Sequence, residues 1–119
     1  MTKRARQQGE LESLILDALW SSKRPLTSQE ILEATGNGEL AITTILTVLS
    51  RLTDKELVTR EPGEGRSFLF SAAQSREQHT ADLMLKLVAE QSNPALAFSA
   101  FAKGLTAPQL KALRKSLDS

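Results

Sequence analysis

The chain contains no cysteine. That excludes disulfides, thiol nucleophiles and thiolate-held metals, and it fits a reducing cytoplasm, where the protein is expected to act. No apolar run approaches the roughly 20 residues of a helical membrane span, so no membrane insertion is expected. The basic N-terminus, MTKRARQQGE, leads into an amphipathic segment and not into continuous apolar sequence, so it does not read as a secretory signal. There is one histidine, His79, in a helical stretch. A lone histidine in such a place is far more often a surface or interface residue than a base or a ligand. No Gly-rich phosphate loop follows a strand, and Gly36-Asn37-Gly38 reads only as a turn. Glu10/Glu12 and Glu61/Glu64 are better read as solvated charges than as an acid–base pair. The expectation is therefore no enzyme, no metal and no cofactor. Excess charge is lacking too. The net charge is +1; residues 1–72 carry nine Lys/Arg against ten Asp/Glu, and residues 73–119 carry six against four. A basic surface must come from local clustering, such as Lys3, Arg4 and Arg6 near the N-terminus.

What is present suits a globular protein of one domain, or of one small domain with an appendage: 119 residues, 40% hydrophobic and 24% charged. The stretch Ala41 to Asp54, AITTILTVLSRLTD, stands out. Ile45, Val48, Leu49 and Leu52 recur at the steps of one helical face, with Ile42 at its edge. Thr43, Thr47, Ser50, Arg51 and Asp54 fall opposite, with Thr44 at the margin. That outer face has small hydroxyls and one arginine, and little of the Lys/Glu a solvated helix normally carries.

The flanking sequence gives this helix a setting. From about Glu10 to Ser22, Leu11, Leu14, Ile15, Ala18 and Leu19 form an amphipathic stripe, with Trp20 beside it as a core or interface anchor. Arg24-Pro25 ends that helix. Thr27-Ser28-Gln29-Glu30 fits a capping box opening a second, short helix that stops near Thr35-Gly36. Two short helices joined by a glycine-containing turn form a helix-turn-helix, whose second helix is the groove-entering one. Next, Leu57 to Arg60 and Ser67 to Phe70 read as strands around the turn sequence Glu61 to Arg66. Three helices followed by a hairpin is the order of a winged helix, and Leu26 could add its short third strand. Arg60 and Arg66 are placed at the hairpin tip, where a wing meets a phosphate backbone or a minor groove.

The last third is helical. Ser75 to about Gln91 carries Ala81, Met84, Leu87 and Val88 on one side. Ala95 to Lys103 carries Leu96, Phe98 and Phe101, and a final helix after Thr106-Ala107-Pro108-Gln109 carries Leu110, Leu113 and Leu117. None is long enough to bury its apolar side alone, so packing against a second copy is expected. The expected fold class is mainly α with a small β-hairpin: residues 1–72 a winged helix-turn-helix DNA-binding domain, residues 73–119 a helical dimerisation domain.

The runs GELESLILDALW and ITTILTVLSRLTDKELVTREPGEGRSFLFS resemble the penicillinase-repressor family of bacterial transcription factors, the BlaI/MecI type with CopY-like relatives. The resemblance extends from Gly9 to Leu117. Its most specific part is Thr47, Leu49, Arg51, Leu52, Lys55, Leu57 and Val58. It implies a winged-helix repressor that sits as a homodimer on a palindromic operator, in antibiotic-resistance circuits of the β-lactamase type. It places Thr43, Thr44, Thr47 and Arg51 at recognition-helix positions and Arg60 and Arg66 in the wing region. Family members often carry a basic residue where this chain has Thr43 or Leu46. In the β-lactam branch the resemblance implies release by a membrane sensor-protease at an Asn–Phe bond. The corresponding bond here is Ala100–Phe101 in AFSAFAK, which has the phenylalanine and lacks the asparagine. The copper branch uses a cysteine pair, which this chain lacks.

The functional expectation is a DNA-binding transcriptional repressor. Its candidate DNA-binding residues are Thr43, Thr44, Thr47, Ser50, Arg51, Arg60 and Arg66. The alternative is a winged-helix adaptor for protein contacts, distinguishable by the local charge across the third helix and the wing.

Overall fold

The computed structural model describes residues 3–36 and 40–119, with residues 3–8 described as backbone alone. The Asn37-Gly38 part of the expected turn lies outside the described residues, as do the side chains of Lys3, Arg4 and Arg6. The elements run α1 (Lys3–Ser21), α2 (Ser28–Thr35), α3 (Ile42–Asp54), β1 (Val58–Pro62), β2 (Phe68–Ala72), α4 (Arg76–Ala89), α5 (Pro94–Gly104) and α6 (Ala107–Leu117). Three helices, a hairpin and three further helices make a mainly α chain, as the hydrophobic patterning requires. The contacts divide it into two units, Met1–Gln78 and His79–Ser119.

In the first unit the core is made by Leu11, Ile15, Leu16 and Leu19 of α1, Ile31 of α2, the apolar stripe of α3, and Leu26, Val58 and Phe70. The α3 stripe is Ile45, Val48, Leu49 and Leu52, all buried, as their spacing predicts. The α1 stripe is rotated from expectation. Leu14 is 47% exposed and Leu16 is buried. The cause is that α1 packs against α2, α3 and β2 together, which widens its buried arc toward Leu16 and Trp20.

Helix ends follow local chemistry. The Thr27 hydroxyl accepts from the Glu30 amide at 3.1 Å, and the Glu30 carboxylate accepts from the Thr27 amide at 2.9 Å, closing the capping box of α2. The Arg24 guanidinium, 2.6 Å from that carboxylate, and the Thr27 amide hold the Glu30 carboxyl at about 2, below its ordinary 4.5. Gly36 ends α2 in extended backbone, where an added Cβ would come within 3.0 Å of the Leu32 carbonyl oxygen. The end of α3 is a Schellman motif: Glu56 N–H donates to the Thr53 carbonyl at 3.0 Å, and Leu57 N–H to the Leu52 carbonyl at 2.9 Å. The residue in the left-handed position is Glu56 (φ 63°), where glycine is usual. This motif turns the chain directly from α3 into the hairpin.

The hairpin pairs Val58 with Ala72 through Pro62 with Phe68, antiparallel. A single bridge from Leu26 to Phe70, with bonds of 2.9 and 2.7 Å, supplies the third strand of the winged helix. Both strands lie one to two residues further along the chain than expected, so β1 runs on through Glu61 and Pro62 and the loop is residues 63–67. Arg60 is therefore not at the tip; it lies mid-strand, opposite Phe70. Gly65 takes the left-handed turn conformation at φ 62°.

The first contact unit runs on past the hairpin to Gln78. The reason lies in three contacts that hold residues 74–76 on α1. Trp20 Nε1 donates to the Gln74 carbonyl at 2.9 Å, Arg76 pairs with Asp17 at 3.3 Å, and the Arg76 guanidinium stacks 5.1 Å from the Trp20 ring centre. In the second unit Thr106 and Gln109 close a capping box on α6. None of the three helices α4, α5 and α6 has a buried residue. Their apolar side chains are open instead: Leu87 is 63% exposed, Leu96 68% and Phe98 54%. No helix among the described residues is long and apolar enough to cross a membrane.

Candidate nucleic-acid interface

The surface opposite the α3 stripe is built by geometry that the sequence already dictates. With Ile45, Val48, Leu49 and Leu52 committed to the core, about 100° per residue turns Thr43, Leu46, Thr47 and Ser50 outward. All four are exposed, as is Thr44 on the flank. One large apolar side chain is among them: Leu46 is 45% exposed. The Thr47 hydroxyl donates to the Thr43 carbonyl oxygen at 2.9 Å, so its hydrogen is turned to the helix's own backbone.

Cations rim this face and none stands at its centre. Arg51 is half-buried, with its guanidinium 4.0 Å from the Glu12 carboxylate. Lys55, which caps the end of α3, lies 3.2 Å from the same carboxylate. Glu12 therefore ties α1 to the last turn of α3 and holds both cations at one edge. Lys55 is a further candidate contact, marked in the sequence only by its place in the family pattern. Its spacing of four from Arg51 is the signal that could have found it, because that spacing puts both on one side of a helix.

On the hairpin, the Arg60 guanidinium stacks over the Phe68 ring at 4.2 Å from its centre. Phe68 is the diagonal cross-strand neighbour of Arg60, the distance at which long and aromatic side chains meet across a ladder. Arg66 lies exposed in the turn. Acids are interleaved with these cations: residues 43–66 carry Arg51, Lys55, Arg60 and Arg66 against Asp54, Glu56, Glu61 and Glu64. The face is thus charge-balanced. The other candidate position, the Ala100–Phe101 bond, lies inside α5, with both residues exposed.

Helix, short helix, helix and hairpin, with a one-bridge third strand and an outward face on the third helix, define a winged helix-turn-helix protein. A sequence profile of the penicillinase-repressor family matches residues 8–119, and the chain belongs to that family. It is 32% identical over 113 residues to the transcriptional regulator BlaI of Mycobacterium tuberculosis, covering 92% of this chain and 81% of the relative. The BlaI proteins of the CDC 1551 and H37Rv strains match equally. Among solved structures it is similar to ZitR, a zinc-responsive MarR family member of Lactococcus lactis. There the TM-score is 0.47 at 15% identity, over 91% of this chain and 70% of that one. It is also similar to a MarR-family transcriptional regulator of Rhodococcus sp. RHA1, with a TM-score of 0.44 at 14% identity, over 97% and 86% of the two chains. The assignment rests on the family match and not on these distant shapes. The family is one of DNA-binding transcriptional repressors and not of enzymes.

Proposed function

We propose that the chain represses transcription in the cytoplasm as a homodimer on a palindromic operator, in a circuit that answers β-lactam antibiotics. The observation that carries the reading is the division of apolar surface. The first unit closes its own core and leaves the polar face of α3 outward. The second buries no residue of α4, α5 or α6 and leaves Leu87, Leu96 and Phe98 more than half exposed. A second copy supplies what those helices lack, and two copies present two α3 helices to symmetric half-sites about one helical turn apart. Thr43, Thr44, Thr47 and Ser50 lie against base edges. Arg51, with Lys55, and Arg60 and Arg66 on the wing meet phosphates.

The test is immunoprecipitation of the protein from cells across the genome, with and without a β-lactam. A palindrome shared by the recovered sites and emptied by the drug is expected; no enriched site under any condition contradicts the reading. Replacing Arg51 by Ala should weaken binding alike on all sequences and flatten the salt dependence by about one unit. Release by a sensor-protease at Ala100–Phe101 would need α5 to unwind first, since the bond lies within the helix. Mass spectrometry of the protein after drug exposure reads this directly, as two fragments, one ending at Ala100 and one beginning at Phe101, or as an intact chain.

A further inference from the structure

We infer that Leu46 is a specificity-determining residue that reads thymine methyl groups, together with the γ-methyl of Thr47. The inference rests on the proposed entry of α3 into a DNA major groove and names what that helix reads there. A leucine 45% exposed at the middle of an otherwise polar face leaves apolar area in water unless a partner covers it. It lies one helical turn from both Thr43 and Ser50, so it belongs to the outward face and not to the core edge. The core beneath α3 is formed by Ile45, Val48, Leu49 and Leu52, and Leu46 is neither part of that cluster nor among the hydrophobics packed against it.

The groove offers one apolar group, the C5 methyl of thymine, and aliphatic side chains are its natural contacts. Thr47 fits the same chemistry. Its hydroxyl hydrogen is held by the Thr43 carbonyl at 2.9 Å, which leaves the methyl as the group without a polar engagement. The charge balance of the face points the same way. With four cations offset by four acids over residues 43–66, the phosphate contacts of Arg51, Lys55, Arg60 and Arg66 position the helix, and discrimination comes from contacts to the bases.

The test begins with selection of duplexes from a random-sequence DNA library by the full-length protein. The selected duplex is then remade with deoxyuridine at each thymine, which deletes the methyl and leaves the pairing intact. Binding by the wild type should fall about fourfold for each methyl contacted, the factor for burying one apolar carbon. Leu46→Ala should lose a similar factor on the thymine duplex and show less response to uracil, whereas Leu46→Met should keep the response. Thr47→Val, which keeps the methyl and removes the hydroxyl, should bind as the wild type does. Thr47→Ser, which keeps the hydroxyl alone, should lose part of the uracil effect. Equal wild-type affinity for the thymine and uracil duplexes overturns the inference while the DNA-binding reading stands. Full uracil discrimination by Leu46→Ala overturns the role of this residue. If no duplex is enriched from the library, the operator reading fails and the inference falls with it.

Discussion

The two units of this chain use the same sequence pattern to different ends. In Met1–Gln78 the apolar stripes of α1, α2 and α3 converge with the hairpin, and every buried residue of the described chain lies between Leu11 and Phe70. In His79–Ser119 stripes of similar composition stay in water, with Leu87, Leu96 and Phe98 each more than half exposed. Amphipathic periodicity therefore marks a face that will be buried without saying by what. In the first unit the partner comes from the same chain. In the second, α4, α5 and α6 bury none of their residues against one another, which is the physical basis for proposing a second copy.

The sharpest way to break this comparison is to damage each unit's apolar surface in turn. Ile45→Ala, at a position with no exposure, should cost about 2–5 kcal/mol of the first unit's stability. A urea titration followed by Trp20 fluorescence reads this, and a change under 1 kcal/mol would mean that α3 is not seated as described. Phe98→Glu should do the reverse. It should leave that transition in place yet weaken self-association about 30-fold or more, the loss expected of a central interface aromatic, as read by sedimentation velocity. A Phe98→Glu protein that still associates at wild-type concentrations would move the interface away from α5.

Smaller effects sharpen the account of the first unit. Glu56→Gly should stabilise it by about 0.5–1 kcal/mol, because glycine occupies the left-handed position of the Schellman motif without the steric cost Glu56 bears. Thermal unfolding of the two proteins side by side reads the gain; a loss would mean that the Glu56 side chain makes a contact worth more than the strain. The smallest effect concerns pH. The Glu30 carboxyl is held at about 2 in the fold against an ordinary 4.5, so its contribution is complete above the ordinary value and fades as pH falls toward about 2. The stability advantage of the wild type over Glu30→Gln should therefore shrink between about pH 5 and about pH 2, with urea midpoints as the readout. An advantage that stays constant with pH would show that Arg24 and the Thr27 amide do not depend on the charge of Glu30.

Much of this was legible in the sequence where local rules act alone. The buried face of α3, both capping boxes and the order of three helices and a hairpin follow from spacing and cap residues. What was not legible depends on contacts distant in sequence or on residues that break a rule. The α1 stripe was displaced onto Leu14 because its true arc, through Leu16, is set by three other elements at once. The sequence puts Arg60 at the tip because Pro62 reads as turn, although it can end an edge strand. The Schellman turn gave no signal because Glu56 stands where glycine would have announced it. Trp20 and Arg76 are 56 positions apart, so no local pattern could show that they hold the start of α4 on α1. At the candidate interface the outward residues were readable, but the fate of the Thr47 hydroxyl and the stacking of Arg60 on Phe68 were not.

The central claim is that one unit reads DNA while the other brings two readers together. It is tested most directly by measuring the mass of the complex, by analytical ultracentrifugation, on a selected palindromic duplex and on a duplex carrying only one half-site. Two chains are predicted on the palindrome, with much weaker binding to the half-site. One chain binding the half-site as tightly as the palindrome would contradict it.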